Sequence, residues 1–156
     1  MSKLTVRANL PFDPAPLARL LRSEDDVALV NPNAKRPFDP LEWQEKWLGD
    51  PDDTAFYLHD ETGREVGFFA LRVGIGPEVR HLTYVFVEEA ARGGAGEQLV
   101  AMAEEAARSL GALSITLKVE LDNPRAHALY LSAGYEELSR RGGVATMRRD
   151  LDGAFD

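Results

Sequence analysis

Hydrophobic and polar positions alternate with a period of two along several stretches of the chain. Leu4, Val6 and Ala8 alternate with polar neighbours from Lys3 to Ala8, which predicts a first strand. Thr54 to His59 and Glu65 to Val73 predict two more, joined by a tight turn over Asp60 to Gly63, a hairpin signature. Val79 to Val87, rich in β-branched and aromatic residues, predicts a fourth strand. Leu113 to Glu120 predicts a fifth, and Tyr135 to Leu138 with Val144 to Arg149 the last two. Elsewhere the period lengthens to three or four. Asp13-Pro14 opens a helix through about Arg22. Asp39-Pro40 opens a second, with Trp43 and Trp47 on one face, and Gly49-Asp50-Pro51 ends it. Leu99, Ala103, Ala106 and Leu110 share one face of a long helix that Gly111 caps. Asn123 to Ala133 predicts a short helix. The charges, Asn31-Pro32-Asn33 and Pro37 between Ser23 and Asp39 predict a loop, and Gly74 to Pro77 a break.

The order is strand, two helices, three strands, helix, strand, helix, two strands. It predicts one α/β (α+β) domain over residues 1–156. The expected sheet is mixed, twisted and mostly antiparallel, with about seven strands, about four helices and one parallel crossover.

Composition narrows the chemistry. The chain has 156 residues, 44% of them hydrophobic, enough for one core. It has no cysteine, so disulfides, thiolate metal sites and a cysteine nucleophile are excluded, and no metal site is expected. No apolar run approaches the ~20 residues that span a bilayer, and the alternation from Met1 to Leu10 does not read as a leader. A cytoplasmic protein with no membrane partner is expected. The net charge of −8, with scattered basic residues, argues against nucleic acid and towards cationic partners such as amines. It is equally explained as a solubilising surface.

Two segments carry candidate chemistry. Ala91-Arg92-Gly93-Gly94-Ala95-Gly96 joins the fourth strand to the long helix. Small residues let the backbone approach a ligand, the first amides of the helix point outward, and the helix dipole favours an anion there. A pyrophosphate suits this loop, although a plain connecting turn would look alike. Neither a P-loop nor a Rossmann unit fits. The second segment is the helix opened by Asn123 and Pro124 and closed by Gly134. Asn123 and Tyr130 are two turns apart on one face, separated by ~10 Å along the axis, with the small Ala126 between them. On spacing alone, a cap and a core aromatic explain them as well as a ligand groove does.

The stretch Leu117-Lys118-Val119-Glu120-Leu121-Asp122-Asn123-Pro124-Arg125-Ala126-His127-Ala128-Leu129-Tyr130-Leu131-Ser132-Ala133-Gly134-Tyr135 resembles the C-terminal signature of the GNAT (Gcn5-related N-acetyltransferase) superfamily. That signature reads apolar-x-Val-x-x-x-Asn-x-x-Ala-x-x-x-Tyr-x-x-x-Gly-Phe/Tyr, and every position is met. The resemblance covers Val79 to Leu151; residues before Gly74 match in layout only. It implies an acetyl-CoA-binding half over 79–151 and an acceptor-side half over 1–78. It implies acetyl-CoA as co-substrate, with pantetheine on the backbone of Val85, Phe86 and Val87. The pyrophosphate is expected on Arg92, Gly93, Gly94, Ala95, Gly96 and Glu97, with further contacts from Asn123, Arg125, Ala126 and Tyr130. The loop departs from the family's Gln/Arg-x-x-Gly-x-Gly/Ala: with Gly94 and Gly96 as its glycines, Ala91 leads, and with Arg92 leading, Ala95 and Glu97 stand at the small positions.

The resemblance also implies that Tyr130 protonates the departing thiolate, a phenol of pKa ~10 giving a proton to a thiolate whose conjugate acid has a pKa of ~8.5. A backbone amide near Val85 or Phe86 would hold the oxyanion. Transfer is expected directly, in a ternary complex. Where several family members carry a base, this chain has Lys118, so the base is left between His81, Glu120 and water. The expected acceptor is a primary amine of a small molecule or peptide, met by residues of the first half such as Asp25, Asp26, Phe38, Asp39, Trp43, Trp47 and Tyr57. A homodimer is compatible with this reading. Two alternatives stay open: a GNAT-like domain that binds CoA without turnover, and a nucleotide-binding α/β protein unrelated to acyl transfer.

Overall fold

The computed structural model describes residues 3–76 and 78–151, so Pro77 of the predicted break lies outside the described residues. The alternating stretches form seven strands: β1 (Thr5–Ala8), β2 (Thr54–His59), β3 (Glu65–Val73), β4 (Val79–Val87), β5 (Ser114–Glu120), β6 (Glu136–Arg141) and β7 (Val144–Asp150). They make one sheet in the order β1-β2-β3-β4-β5-β7-β6. The β4–β5 pair is parallel, while β1–β2, β5–β7 and β6–β7 are antiparallel. This is the mixed sheet the period predicts, with its parallel crossover at β4 and β5.

Five α-helices are described, one more than expected: α1 (Ala15–Leu20), α2 (Glu24–Val30), α3 (Pro40–Glu42), α4 (Ala95–Ser109) and α5 (Pro124–Ser132). The extra one is α2, in the segment expected as a loop. Its start is encoded locally: the Ser23 side chain accepts from the Asp26 amide at 3.0 Å, and Glu24, Asp25 and Asp26 stand in the positive first turn. The same acids read as loop charges in a sequence scan. The helix opened by Asp39 passes after α3 into a π-helical turn over Trp43–Trp47, and a 3-10 turn over Glu89–Ala91 follows β4.

Packing divides the chain into two compact units. The first takes residues up to Ala70 with Tyr84–Gly93; the second takes Leu71–Thr83 and the chain from Gly94 onward. In the first, Leu17, Leu20 and Leu21 of the α1 region and Val27 of α2 bury against Tyr57, Phe68, Ala70 and Phe86 of the strands. Trp43 is wholly buried, stacked on Phe38 and edge-on to Tyr84. In the second, α4 lays Leu99, Ala103 and Ala107 on β5, where Ile115 and Leu117 are buried. Both cores follow the stripe-on-face logic of the pattern.

Candidate active site

The fourth strand is irregular where the backbone chemistry is expected. β4 pairs with β5 over four residues, Val79 with Ser114 through Leu82 with Leu117. Two residues later Tyr84 takes a left-handed φ of 53°, unusual for a bulky residue and a mark of local constraint. The burial of β4 nevertheless alternates through this residue: Arg80, Leu82, Tyr84 and Phe86 are buried, while His81, Thr83, Val85 and Val87 are partly exposed. Beyond it, Phe86 faces β3: a Cβ on Gly67 would meet the Phe86 carbonyl oxygen at 2.5 Å. Glu88 likewise donates its amide to Val66 at 2.8 Å. Neighbouring residues of a strand point their backbone groups to opposite edges. The groups of Val85 and Val87 therefore turn away from β3. The Val87 carbonyl accepts from Arg92 Nε at 2.7 Å, and the Arg92 guanidinium lies 5.8 Å from the Phe86 ring centre.

The loop then reaches α4. Gly93 is exposed with open space where a side chain would be. Gly94 is the N-cap with φ 72°, a conformation that suits glycine, and it has no side chain to cap the first turn. The first amides of Ala95, Gly96 and Glu97 are thus left to an outside acceptor. Ala95 is buried, and Glu97 is exposed in that turn. Gly96 has a packing duty as well: a Cβ there would sit 3.0 Å from Leu129 Cδ2 of α5. A cavity of about 370 Å³ is lined by Leu4, Asp60, Arg64, Glu88, Ala91 and Gly93 among others. Arg64 and Glu88 form an ion pair there. His81, Asn123 and Tyr130 do not line it.

Asn123 caps α5, its Oδ1 accepting from the Ala126 amide at 3.3 Å. Asn123 and Arg125 are exposed and Ala126 is half-buried. Tyr130 is half-buried near the helix end, and burial pushes its phenol above the ordinary value of 10. Its ring meets Tyr135 edge-on, centres 5.6 Å apart and planes at 64°.

His81 lies on β4 with Nδ1 2.9 Å from Thr116 Oγ1. Burial, then the charges of Lys118 and Arg72, hold its pKa below the ordinary 6.5. The ring is therefore neutral at neutral pH, as a base must be. Glu120 is exposed at the end of β5, four residues beyond Thr116, which is ~13 Å along a strand. The structure does not bring these two base candidates together.

Several acceptor-side candidates have local duties. Asp39 caps α3 by accepting from the Leu41 amide at 3.1 Å. Tyr57 donates its hydroxyl to the Asp13 carbonyl at 2.6 Å, and burial raises its pKa far above 10. Phe38 and Trp43 stack in the core, and the Lys46 ammonium sits 4.8 Å over the half-buried Trp47 ring. Asp25 and Asp26 stay in the first turn of α2.

The sequence pattern missed Gly67, Thr116, Glu104 and Arg149. Glu104 left a readable signal. It falls between Val100 and Ala107 at helical spacing, on the apolar face of α4.

Among the described residues no helix is long and apolar enough to cross a membrane, and no cluster of His, Asp and Glu could hold a metal. The model of the Acetyltransferase (GNAT) family matches residues 18–135. No curated protein matches the chain. Among solved structures, the chain is similar to spermidine N-acetyltransferase from Vibrio cholerae in complex with CoA and spermine. The TM-score is 0.78 at 18% identity, over 98% of each chain. A provisionally assigned phosphinothricin N-acetyltransferase gives 0.75 at 18%, over 96% of this chain and 99% of that one. A dodecameric form of the Vibrio cholerae enzyme gives 0.72 at 18%, over 98% and 96%. The chain belongs to the acetyltransferase (GNAT) family.

Proposed function

We propose that this acetyltransferase moves the acetyl group of acetyl-CoA to a primary amine of a small molecule or peptide, by direct attack. One observation carries the reading: Tyr130, in the matched signature, is a half-buried phenol that burial holds protonated. The residues present fit the co-substrate. An uncapped helix start at Gly94 offers amides to a pyrophosphate, and Arg92, two residues earlier in the sequence, is the cation of the same loop. The strand edges of Val85 and Val87 turn away from β3 and suit a pantetheine amide, as an added strand would. Asn123, Arg125 and Ala126 lie at the open start of α5, within reach of a ligand along that helix. When bound, the thioester supplies the activated acyl group.

The chain's own residues do the rest. The Val85 amide takes the developing oxyanion. As the amine nitrogen bonds to the acyl carbon and the carbon–sulfur bond breaks, Tyr130 donates its phenolic proton to the sulfur. That transfer runs uphill by at least ~1.5 pKa units, about 2 kcal/mol, and needs a phenol well placed on the sulfur. The amine's proton leaves to His81, directly or through water. In the tautomer whose Nδ1–H donates to Thr116 Oγ1, Nε2 of His81 keeps the lone pair for this step. Glu120 is the weaker base candidate, because it is exposed at the strand end.

A small amine acceptor is supported by the spermine complex of the Vibrio cholerae relative and by the acidic balance of this chain. The dodecameric relative supports self-association here, and the lack of cysteine a cytoplasmic setting. CoA binding without turnover is the second reading, favoured by Lys118, whose charge weakens His81 as a base. Thiol release from acetyl-CoA across an amine panel separates the two. Turnover with at least one amine, lost in Tyr130→Phe, supports transfer; CoA binding with no turnover by any amine supports the module.

A further inference from the structure

The buried stripe of α4 is alanine, leucine and valine except at one position. Glu104 is 6 % exposed among Val100, Ala103 and Ala107. A lone carboxylate in such a place is costly, and a leucine would pack there without that cost. Its partner is Arg149 of β7: one nitrogen, Nη1, bonds both oxygens, at 2.8 and 3.0 Å. The rest of the guanidinium reaches back to the end of α5. A Cβ on Gly134 would meet Arg149 Nε at 3.6 Å and Cζ at 3.8 Å. Gly134 itself is left-handed, φ 98°, and turns the chain from α5 towards β6.

The next residue closes the circuit. Tyr135 is 3 % exposed, and its amide donates to the Tyr130 carbonyl at 3.0 Å. Burial, then the Glu104 charge, raises its phenol far above 10. Its hydroxyl makes no full hydrogen bond, so the Glu104 carboxylate acts on it as a neighbouring charge. Its ring then braces Tyr130 edge-on. Glu104, Arg149, Gly134, Tyr135 and Tyr130 thus form one continuous set from the core of α4 to the phenol.

We infer that Glu104 is a positioning residue for Tyr130. Through Arg149 and Tyr135 it holds the end of α5, and so the Tyr130 ring, in the one orientation that aims the hydroxyl. The inference rests on the reading of Tyr130 as the acid. It explains why a charge is kept on a face that stability alone would fill with hydrocarbon.

The test is a double-mutant cycle on the full chain. Glu104→Gln, Tyr130→Phe and the double variant are assayed by thiol release with whichever of spermine, tyramine, a lysine-ended peptide and methionine is turned over fastest. Glu104→Gln lowers kcat about tenfold, leaves KM for acetyl-CoA within about twofold, and moves the alkaline limb of the kcat profile to lower pH, because a loosened phenol is better hydrated. In the Tyr130→Phe background it lowers kcat no further. The same tenfold loss in both backgrounds would overturn the inference alone. Full kcat in Tyr130→Phe would overturn the acid reading, and the inference with it. If Glu104→Gln does not fold, Glu104→Leu with Arg149→Met removes both charges together and is expected to fold with kcat still reduced. Ring-labelled tyrosine NMR needs no acceptor. Tyr130 in Glu104→Gln should show averaged ring signals, and signals unchanged from the parent would overturn the inference.

Discussion

At the scale of single residues, His81 carries a shifted pKa beside the proposed chemistry. Its pKa is lowered by burial, Lys118 and Arg72, so folding disfavours its proton. The stability it contributes is fully present above the ordinary 6.5 and is lost as pH falls through the lower, folded value. Lys118→Met removes one repelling charge. The folded pKa of His81 should then rise towards 6.5, and the acidic limb of kcat/KM should move to higher pH if His81 is the base. A limb that stays fixed would leave the proton to water or Glu120. The places of Asn123 and Tyr130 on α5 were legible in the sequence, because a helix register sets them. The partner that Glu104 finds on β7 was not, although helical spacing puts Glu104 itself on the apolar face of α4. Nor was the left-handed backbone of Tyr84, which no local rule assigns to a tyrosine.

At the scale of elements, glycines decide how closely the site's backbones approach. Gly67 of β3 lies 2.5 Å, in Cβ terms, from the Phe86 carbonyl, a backbone atom that cannot swing aside. Gly67→Ala should destabilise the protein by about 1–3 kcal/mol and displace the Val85–Val87 edge, raising KM for acetyl-CoA. Gly96→Ala meets only the tip of Leu129, at 3.0 Å, and should be milder. Gly94→Ala should cost about 1 kcal/mol for its positive φ. Denaturation midpoints of the three variants check this order, and equal losses would contradict it. The seven strands and the long helix were legible because their periods are clean. The helix α2 was hidden because Glu24, Asp25 and Asp26 serve both a helix start and a solvated loop, and only the Ser23 cap bond separates the two. The π-turn at Trp43–Trp47 is likewise hidden, since an extra residue in one turn leaves the i, i+4 pair of tryptophans in place.

At the scale of the whole molecule, the element order predicts a mixed sheet with one parallel crossover, which the β4–β5 pair supplies, whereas the place of β7 between β5 and β6 does not follow from that order. What the chain did not reveal is the acceptor. Its candidate residues lie in the first half, where Asp39, Tyr57 and Trp43 serve capping and packing. The co-substrate is easier to test. Ligands that bind only the folded state raise stability by mass action, about 2.7 kcal/mol at 100 times Kd. CoA and acetyl-CoA should raise the melting midpoint; ATP and NAD at equal concentration should leave it unchanged. A shift with ATP or NAD and none with CoA would restore the nucleotide-binding alternative.

The most direct measurement is the rate of thiol release from acetyl-CoA with an amine panel, for the parent chain and for Tyr130→Phe, with CoA affinity measured on both. The account predicts amine-dependent release by the parent, a loss of about 10²-fold or more in kcat for Tyr130→Phe, and CoA affinity nearly unchanged. Amine-dependent release at equal rates from both proteins would contradict it.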